Sequence, residues 1–484
     1  MTLPQPAAGP GGPAGVLGRI PGQRPPADPV ALRRTARGVL LRNWTGASTV
    51  PSHGLYPHQW SWDSAFIAIG LRHLSVLRAQ RELETLFTAQ WEDGRVPHIV
   101  FNPAVPLGAY FPSPDFWRSS SAGAAAGAPA ATETSGIVQP PVHALAAWLV
   151  HRADPETSRR RGFLRRLYPR LAAWHRYLTD RRDLGGGGLV AAVHPWEPGM
   201  DNSPCWDRPL ARIEPAAPDT FRRADLDHGA AEDRPTDLDY GRYVRLATEY
   251  RDARYRDAEA PHSFAVEDPG INALLIASEH ALASIAAEAG PPAAADGHRE
   301  RAARLTAALL ERLWDAEAGQ FLCRDLRSAG SGLVPERSAA GLLPLIVPGL
   351  PDDVVTALLR TATGRHFGLG SADVRLVPSY DLCGEAFNAK RYWRGPAWFN
   401  VNWLLERGLR QYGREARADA LRTAILSAAD SSSLAEYVDP HTGRGRGARD
   451  FSWTAALALD LLTSTGPPAQ TPDREPALVH TRET

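Results

Sequence analysis

The chain has 484 residues with 54 acidic and 54 basic side chains, so it can bury a large core and carries neither the basic field that nucleic acid needs nor an acidic tail. That balance fits a neutral or modestly charged small-molecule partner. Length allows one large domain or up to roughly three ordinary ones. Every basic residue except Lys390 is arginine. The planar guanidinium and the compact ammonium bind differently, so the one lysine marks either a place where the fork does not fit or composition alone. Three cysteines, Cys205, Cys323 and Cys383, are too few and too scattered for a disulfide framework or a CxxC zinc site, and read as reduced thiols of a cytoplasmic protein.

The N-terminal "MTLPQPAAGPGGPAGVLGRIPGQRPP" has no basic segment followed by an apolar run, so 1–28 reads as a disordered Pro/Gly-rich arm and not a secretory signal. No apolar stretch is read as reaching membrane-spanning length, which predicts no membrane partner. Helical periodicity predicts helices over 30–43, 63–73, 75–91, 139–152, 158–181, 238–251, 270–289, 298–314, 351–362, 397–412, 414–430 and 449–463, mostly joined in pairs by turns bearing Pro or Gly. In "NALLIASEHALASIAAEAG", Leu274, Leu275, Ala281, Leu282 and Ile285 keep to one face, which needs a neighbouring helix to cover it. Alternating strand patterns are scarce and no short repeat is visible, which argues against a solenoid. Paired helices without repeats predict an all-α toroid over 29–464, two concentric rings whose connecting loops meet at one end, followed by a disordered tail at 465–484. Lid-like loops are expected near 108–131 and 210–237; the first combines aromatics with a Ser/Ala/Gly run and suits either a lid or a surface insertion.

The chemically dense stretches fall between helices or at their starts: "HGLYPHQWSWDSAF", "WEPGMDNSPCWD", "AKRYWRGPAWFNVNW" and "EYVDPHTGRGRGARDFSW". Aromatic rings beside carboxylates and amides suit a sugar, whose C–H faces lie on indole while its hydroxyls bond to polar groups. Trp60, Trp62, Trp196, Trp206, Trp393, Trp398 and Trp403 are candidate rings; Trp148 and Trp174, on amphipathic helices, read as core. Breaking a glycosidic bond needs two carboxyl groups. Asp201 and Glu436 are the candidates, with Glu197 and Asp207 as acids that pair with arginines or cap turns; spacing alone does not choose among them. No GxSxG elbow, GxxxxGK[ST] loop or HExxH pair occurs. His53 and His58 read as hydrogen-bonding loop residues, and no metal or cofactor is expected.

These four stretches, in this order from about Asn43 to Leu462, resemble the (α/α)6-barrel inverting glycosidases, specifically the bacterial branch of glycoside hydrolase family 63 that includes the mannosylglycerate and glucosylglycerate hydrolases. The resemblance implies an (α/α)6 barrel, Asp201 as general acid and Glu436 as general base. It implies a sugar subsite of Tyr56, Trp60, Trp62 and Asp63 with Tyr392 and Trp393 of the "RYWRGP" element, to which Trp196 and Arg394 are added as substrate contacts. Arg234 and Gln139 match the positions that hold a glycerate. Asp450 stands where such relatives tend to carry glutamine, and its charge opposes a carboxylate unless Arg446 or Arg449 pairs with it. On this reading indoles around Asp201 exclude water and keep it protonated, while an ionised Glu436 activates water, with the carboxyls roughly 6.5 to 9.5 Å apart.

The expected activity is therefore hydrolysis of a small α-glucoside or α-mannoside, foremost glucosylglycerate or mannosylglycerate. The alternatives are a trehalase-like hydrolase of neutral oligosaccharides, a sugar epimerase or isomerase relying on His53, His58 or His143, and a non-catalytic sugar binder, against which the paired acids argue. A symmetric homo-oligomer is the default expectation.

Overall fold

The computed structural model describes residues 28–227, 231–291 and 293–463. The expected tail, and the expected arm apart from Asp28, lie outside the described residues. Asp28 belongs to the fold: its carboxylate accepts the Val30 amide at 2.8 Å and caps helix Pro29–Arg42, satisfying an amide with no partner inside the helix.

Six elements pack each on the next and the last on the first. They are helices Ser61–Leu71, His143–Ala153 and Pro269–Ala289, the 3-10 turns Ala339–Gly341 and Leu343–Ile346 together, and helices Phe399–Gln411 and Ser452–Thr463. Around this closed ring lie helices Pro29–Arg42, Val76–Thr88, Phe163–Arg181, Ala294–Leu313 and Glu415–Ser431, each against an inner neighbour. The expected (α/α)6 barrel is the fold.

Burial separates the two rings. Every residue of Ser61–Leu71 is buried, as a helix walled on all sides requires, whereas Val76–Thr88 buries Ala79, Leu83, Leu86 and Phe87 along one stripe, the mark of an outer helix. Inner helices approach closely where side chains are small. A Cβ on Gly70 would come within 2.3 Å of the Ala456 backbone, so only glycine lets the first and last inner helices touch there.

Two expectations are corrected, and one inner element lies outside them. The run 158–181 is two helices, Pro155–Arg161 and Phe163–Arg181, because Gly162 takes φ +61° and ends the first. The inner element at 339–346 has no helical signature in the sequence, since Pro344 and its shortness limit it to 3-10 turns. Helix Pro269–Ala289 is long and apolar enough to cross a membrane, contrary to the sequence reading, but 78% of its most apolar window is buried and it serves as a barrel stave.

The strands are two residues long and pair antiparallel in sheets of two or three. Gln59–Trp60 pairs with Ile99–Val100, and Ala397–Trp398 with Tyr437–Val438. Each ladder ends where an inner helix begins, so the loops that carry the aromatic and acidic stretches are pinned at the helix N-termini.

Candidate active site

At that end of the barrel the loops line a pocket with about 490 Å³ of empty space, part of it open to solvent. Helix Ser61–Leu71 supplies Trp62 and Asp63 from its first turn and Trp60 from its cap. Gln139, just ahead of helix His143–Ala153, accepts the Trp62 amide on Oε1 at 3.1 Å, which leaves its NH2 for the cavity. The loop after strand Ala191–Ala192 brings Trp196, Gly199 and Asp201. Gly199 has φ +70°, and a Cβ there would lie 2.4 Å from the Trp62 ring; glycine is what allows the acid-bearing loop to rest on that indole.

Trp393 stacks on Trp398 with centroids 3.8 Å apart and planes 2° from parallel. Its neighbour Tyr392 sits in the left-handed region at φ +42°, a conformation that costs free energy in a non-glycine residue. The indole N–H of Trp398 holds it there by donating to the Tyr392 carbonyl at 3.1 Å. The result is a phenol turned toward Glu436.

The two candidate carboxyl groups line the same cavity in different surroundings. Glu436, 1% exposed, accepts from the Tyr56 hydroxyl at 2.8 Å, the Tyr392 hydroxyl at 3.4 Å and the Ala448 amide at 3.0 Å. Burial raises its pKa, opposed by Arg234 and by these donors. Asp201 keeps part of its surface exposed, yet burial pushes it up to about 7, with Glu436 and Asp225 adding repulsion and Arg234 opposing. It can hold a proton near neutral pH and release it to a ligand. Asp63 is raised well above the carboxylate range by burial and by Glu436.

Arg234 is 5% exposed, donates to the Tyr56 hydroxyl at 3.2 Å and lies 4.9 Å from the Tyr392 ring centroid. Among the described residues no carboxylate lies within ion-pair distance of it. Arg234 does not itself line the cavity but touches Tyr56 and Tyr392, which do; a buried guanidinium so placed suits an anionic ligand group.

Other expected residues are placed elsewhere. Arg394 grips Asp207 with two hydrogen bonds of 2.7 Å and donates to the Asn202 carbonyl at 3.3 Å; it ties two loops together and does not line the cavity. Asp450 also lies outside it. Its half-exposed carboxylate pairs with Arg42 at 3.3 Å, not with Arg446 or Arg449, because φ +50° at Asp450 turns the chain outward before Phe451. Trp206 donates to the Met200 carbonyl at 2.7 Å and Trp403 to Asp460 at 2.9 Å, both as core residues. Lys390 is exposed.

Glu197 is buried and its oxygens are occupied by Arg182 at 2.8 Å, the Val193 amide at 2.7 Å and the Val138 amide at 3.2 Å. His53 bonds to the Arg42 carbonyl, His58 to the Asn102 amide and His143 to Ser61, away from the cavity lining. Of the two expected lid stretches, 108–131 contributes Tyr110 to the cavity wall, and Arg222 joins it to the second stretch by donating to the Gly108 carbonyl at 2.7 Å.

Wall residues that the sequence reading does not name include Pro51, Phe451 and Trp453, and also Tyr110 and His98. Tyr110 is one aromatic among several in its stretch, and His98 lies in "RVPHIV", outside every dense motif. His98 reaches the wall because its strand neighbour Ile99 pairs with Trp60. Burial, with His194 nearby, lowers it to about 3, so it faces the cavity as neutral imidazole, stacked at 24° on Trp196.

The chain as a whole is similar to known proteins. The mannosylglycerate hydrolase MGH1-like glycoside hydrolase domain matches residues 56–454. The chain belongs to this family. It is 42% identical to the mannosylglycerate hydrolase of Rubrobacter radiotolerans over 88% of this chain and 96% of that one. It is 38% identical to the glucosylglycerate hydrolase of Mycolicibacterium hassiacum over 90% and 99%. A crystal structure of the family 63 mannosylglycerate hydrolase from Thermus thermophilus, in complex with Tris and D-glycerate, superposes with a TM-score of 0.80 at 40% identity, covering 89% of this chain and 99% of that one. This member is thus a glycoside hydrolase, and the epimerase and sugar-binder alternatives fall away.

Proposed function

We propose that this glycoside hydrolase cleaves a small α-glycoside of glycerate, glucosylglycerate or mannosylglycerate, with inversion at the anomeric carbon. Asp201 is the general acid and Glu436 the general base. The observation that carries this reading is the electrostatic contrast across one cavity. Asp201 is raised to about 7 and can hold a proton near neutral pH, whereas Glu436, though raised by burial, is held by Tyr56, Tyr392 and Ala448, all donors that favour its ionised form.

In the reaction Glu436 takes a proton from water, the water oxygen bonds to C1, and the C1–O bond to the aglycone breaks as Asp201 protonates the departing oxygen. The indoles of Trp60, Trp62 and Trp393 flank the sugar, Asp63 meets its hydroxyls, and Gln139 meets the glycerate. Arg234 takes the glycerate carboxylate, which accounts for a buried cation that has no ion pair among the described residues and favours an acidic aglycone over a neutral oligosaccharide.

Release of sugar and glycerate from both compounds is measured for the parent, Asp201→Asn and Glu436→Gln, with the released anomer followed by proton NMR. Cleavage by the parent alone with a β-anomer released first supports the reading. Cleavage of neutral α-glucosides in preference to both compounds, or an α-anomer released first, rejects it.

A further inference from the structure

Outside the sugar cavity, on the segment that leads toward Tyr392 and Trp393, three side chains of metal-binding type converge. Each of His366, Asp381 and Cys383 offers a ligand atom, and the three atoms lie within 4.8 Å of one another. We propose that His366, Asp381 and Cys383 form a binding site for a thiophilic divalent cation, zinc by its donor set, completed by water. This goes beyond the glycosidase reading and does not depend on it. It also revises the expectation that the chain has no metal ligands: the ligands are not spaced as CxxC, and only folding brings position 366 to 381.

The geometry favours a built site over a chance cluster. His366 Nδ1 stands 2.9 and 2.8 Å from the two oxygens of Asp381. The backbone holds both carriers in place: the Leu382 amide donates to the His366 carbonyl at 2.8 Å, and the Asp381 amide to the Arg337 carbonyl at 3.0 Å. The Cys383 amide donates to Asp381 Oδ1 at 2.7 Å, which orients the carboxylate as outer hydrogen bonds orient metal ligands. Asp381 is buried while Cys383 is exposed, so a metal would be anchored from below and open to water above.

The donor set selects the ion. Tetrahedral zinc holds nitrogen and oxygen at about 2.0–2.2 Å and thiolate sulfur at about 2.3 Å, so its ligand atoms stand roughly 3.3 to 3.8 Å apart. Reaching that from the present triangle means breaking the His366–Asp381 hydrogen bond and drawing the thiol away from the Arg365 carbonyl, to which it now donates at 3.6 Å, a rotation open to an exposed side chain. Imidazole and thiolate suit zinc, and magnesium or calcium would need oxygen ligands. On binding, Cys383 gives up its thiol proton to solvent. Thiolate and Asp381 carboxylate then balance the two positive charges, with His366 neutral.

The test uses the full-length, untagged protein stripped with chelator. Zinc binding is followed by calorimetry, and cobalt(II) binding by its absorption spectrum, for the parent, Cys383→Ser and His366→Ala. The parent is expected to bind one equivalent of zinc, and each variant about 100-fold more weakly. Cobalt in the parent should show a thiolate charge-transfer band that Cys383→Ser lacks. Circular dichroism and thermal unfolding of the metal-free proteins establish that both variants fold. No stoichiometric binding by the parent, or equal affinity in parent and both folded variants, overturns the site.

Discussion

Tyr56, on the cavity wall, bridges Glu436 and Arg234: its hydroxyl donates to Glu436 Oε1 at 2.8 Å while its oxygen accepts from Arg234 Nη1 at 3.2 Å. The group proposed to recognise the aglycone and the group proposed to activate water therefore share one phenol. Burial raises Glu436, and the Arg234 charge and the Tyr56 bond both pull it back down.

Tyr56→Phe removes that donor and leaves the burial. Glu436 then rises further, and because the base must be ionised to act, the acidic limb of the kcat/KM profile moves to higher pH. A hydrogen bond to a charged group is worth about 1.5–3 kcal/mol, so a shift of about one to two pH units is the upper range. A pH–rate series on the parent and Tyr56→Phe measures it; an unmoved acidic limb removes Glu436 as the titrating base.

Asp201 sets the opposite limb. Its folded pKa of about 7 means the proton is present below that pH and lost above it, so kcat/KM falls as pH rises through about 7. Arg234 lowers both Asp201 and Glu436. In Arg234→Gln both limbs therefore move to higher pH, and the KM for a glycerate-bearing substrate rises about 10- to 100-fold with the loss of a charged hydrogen bond. Profiles with charged and neutral substrates separate the two effects.

Glu197 lies only four residues from Asp201 yet serves the frame. Arg182 and Glu197 are each about 1% exposed and joined at 2.8 Å, so Glu197→Ala leaves a buried guanidinium without this partner. A loss of about 3–5 kcal/mol in unfolding free energy is expected. Denaturant titration reads it, and a fully stable but inactive variant would reassign Glu197 to the chemistry.

Asp450 pairs with Arg42 in a half-exposed bridge. Asp450→Gln is expected to change stability by less than about 0.5 kcal/mol and to leave KM unchanged for charged and neutral substrates alike. A drop in KM confined to the charged substrate would show that the carboxylate acts on the aglycone after all.

The barrel is legible in the sequence because its evidence is local. Helical periodicity, Pro- and Gly-bearing turns and the scarcity of alternation follow from how each segment must bury its own apolar side chains, as Leu83, Leu86 and Phe87 do on the outer helix Val76–Thr88. The inner element at 339–346 is not legible in this way, because Leu343, Leu345 and Ile346 are buried by neighbours, not by a helical stripe of their own.

The cavity is legible in part, for a similar reason. Indoles, amides and acids crowded into loops declare the chemistry of a sugar site through composition, and Trp60, Trp62, Asp63, Asp201 and Glu436 all line one cavity. Composition does not reveal where a side chain points. Tyr392 and Asp450 both adopt positive φ, and one turns into the cavity while the other turns out to Arg42. His98 enters through a two-residue ladder, and His366 meets Asp381 across a loop. Those placements depend on contacts between segments far apart in the chain, whose geometry is settled by packing, so residue types and spacing could name the chemistry but not every residue that carries it.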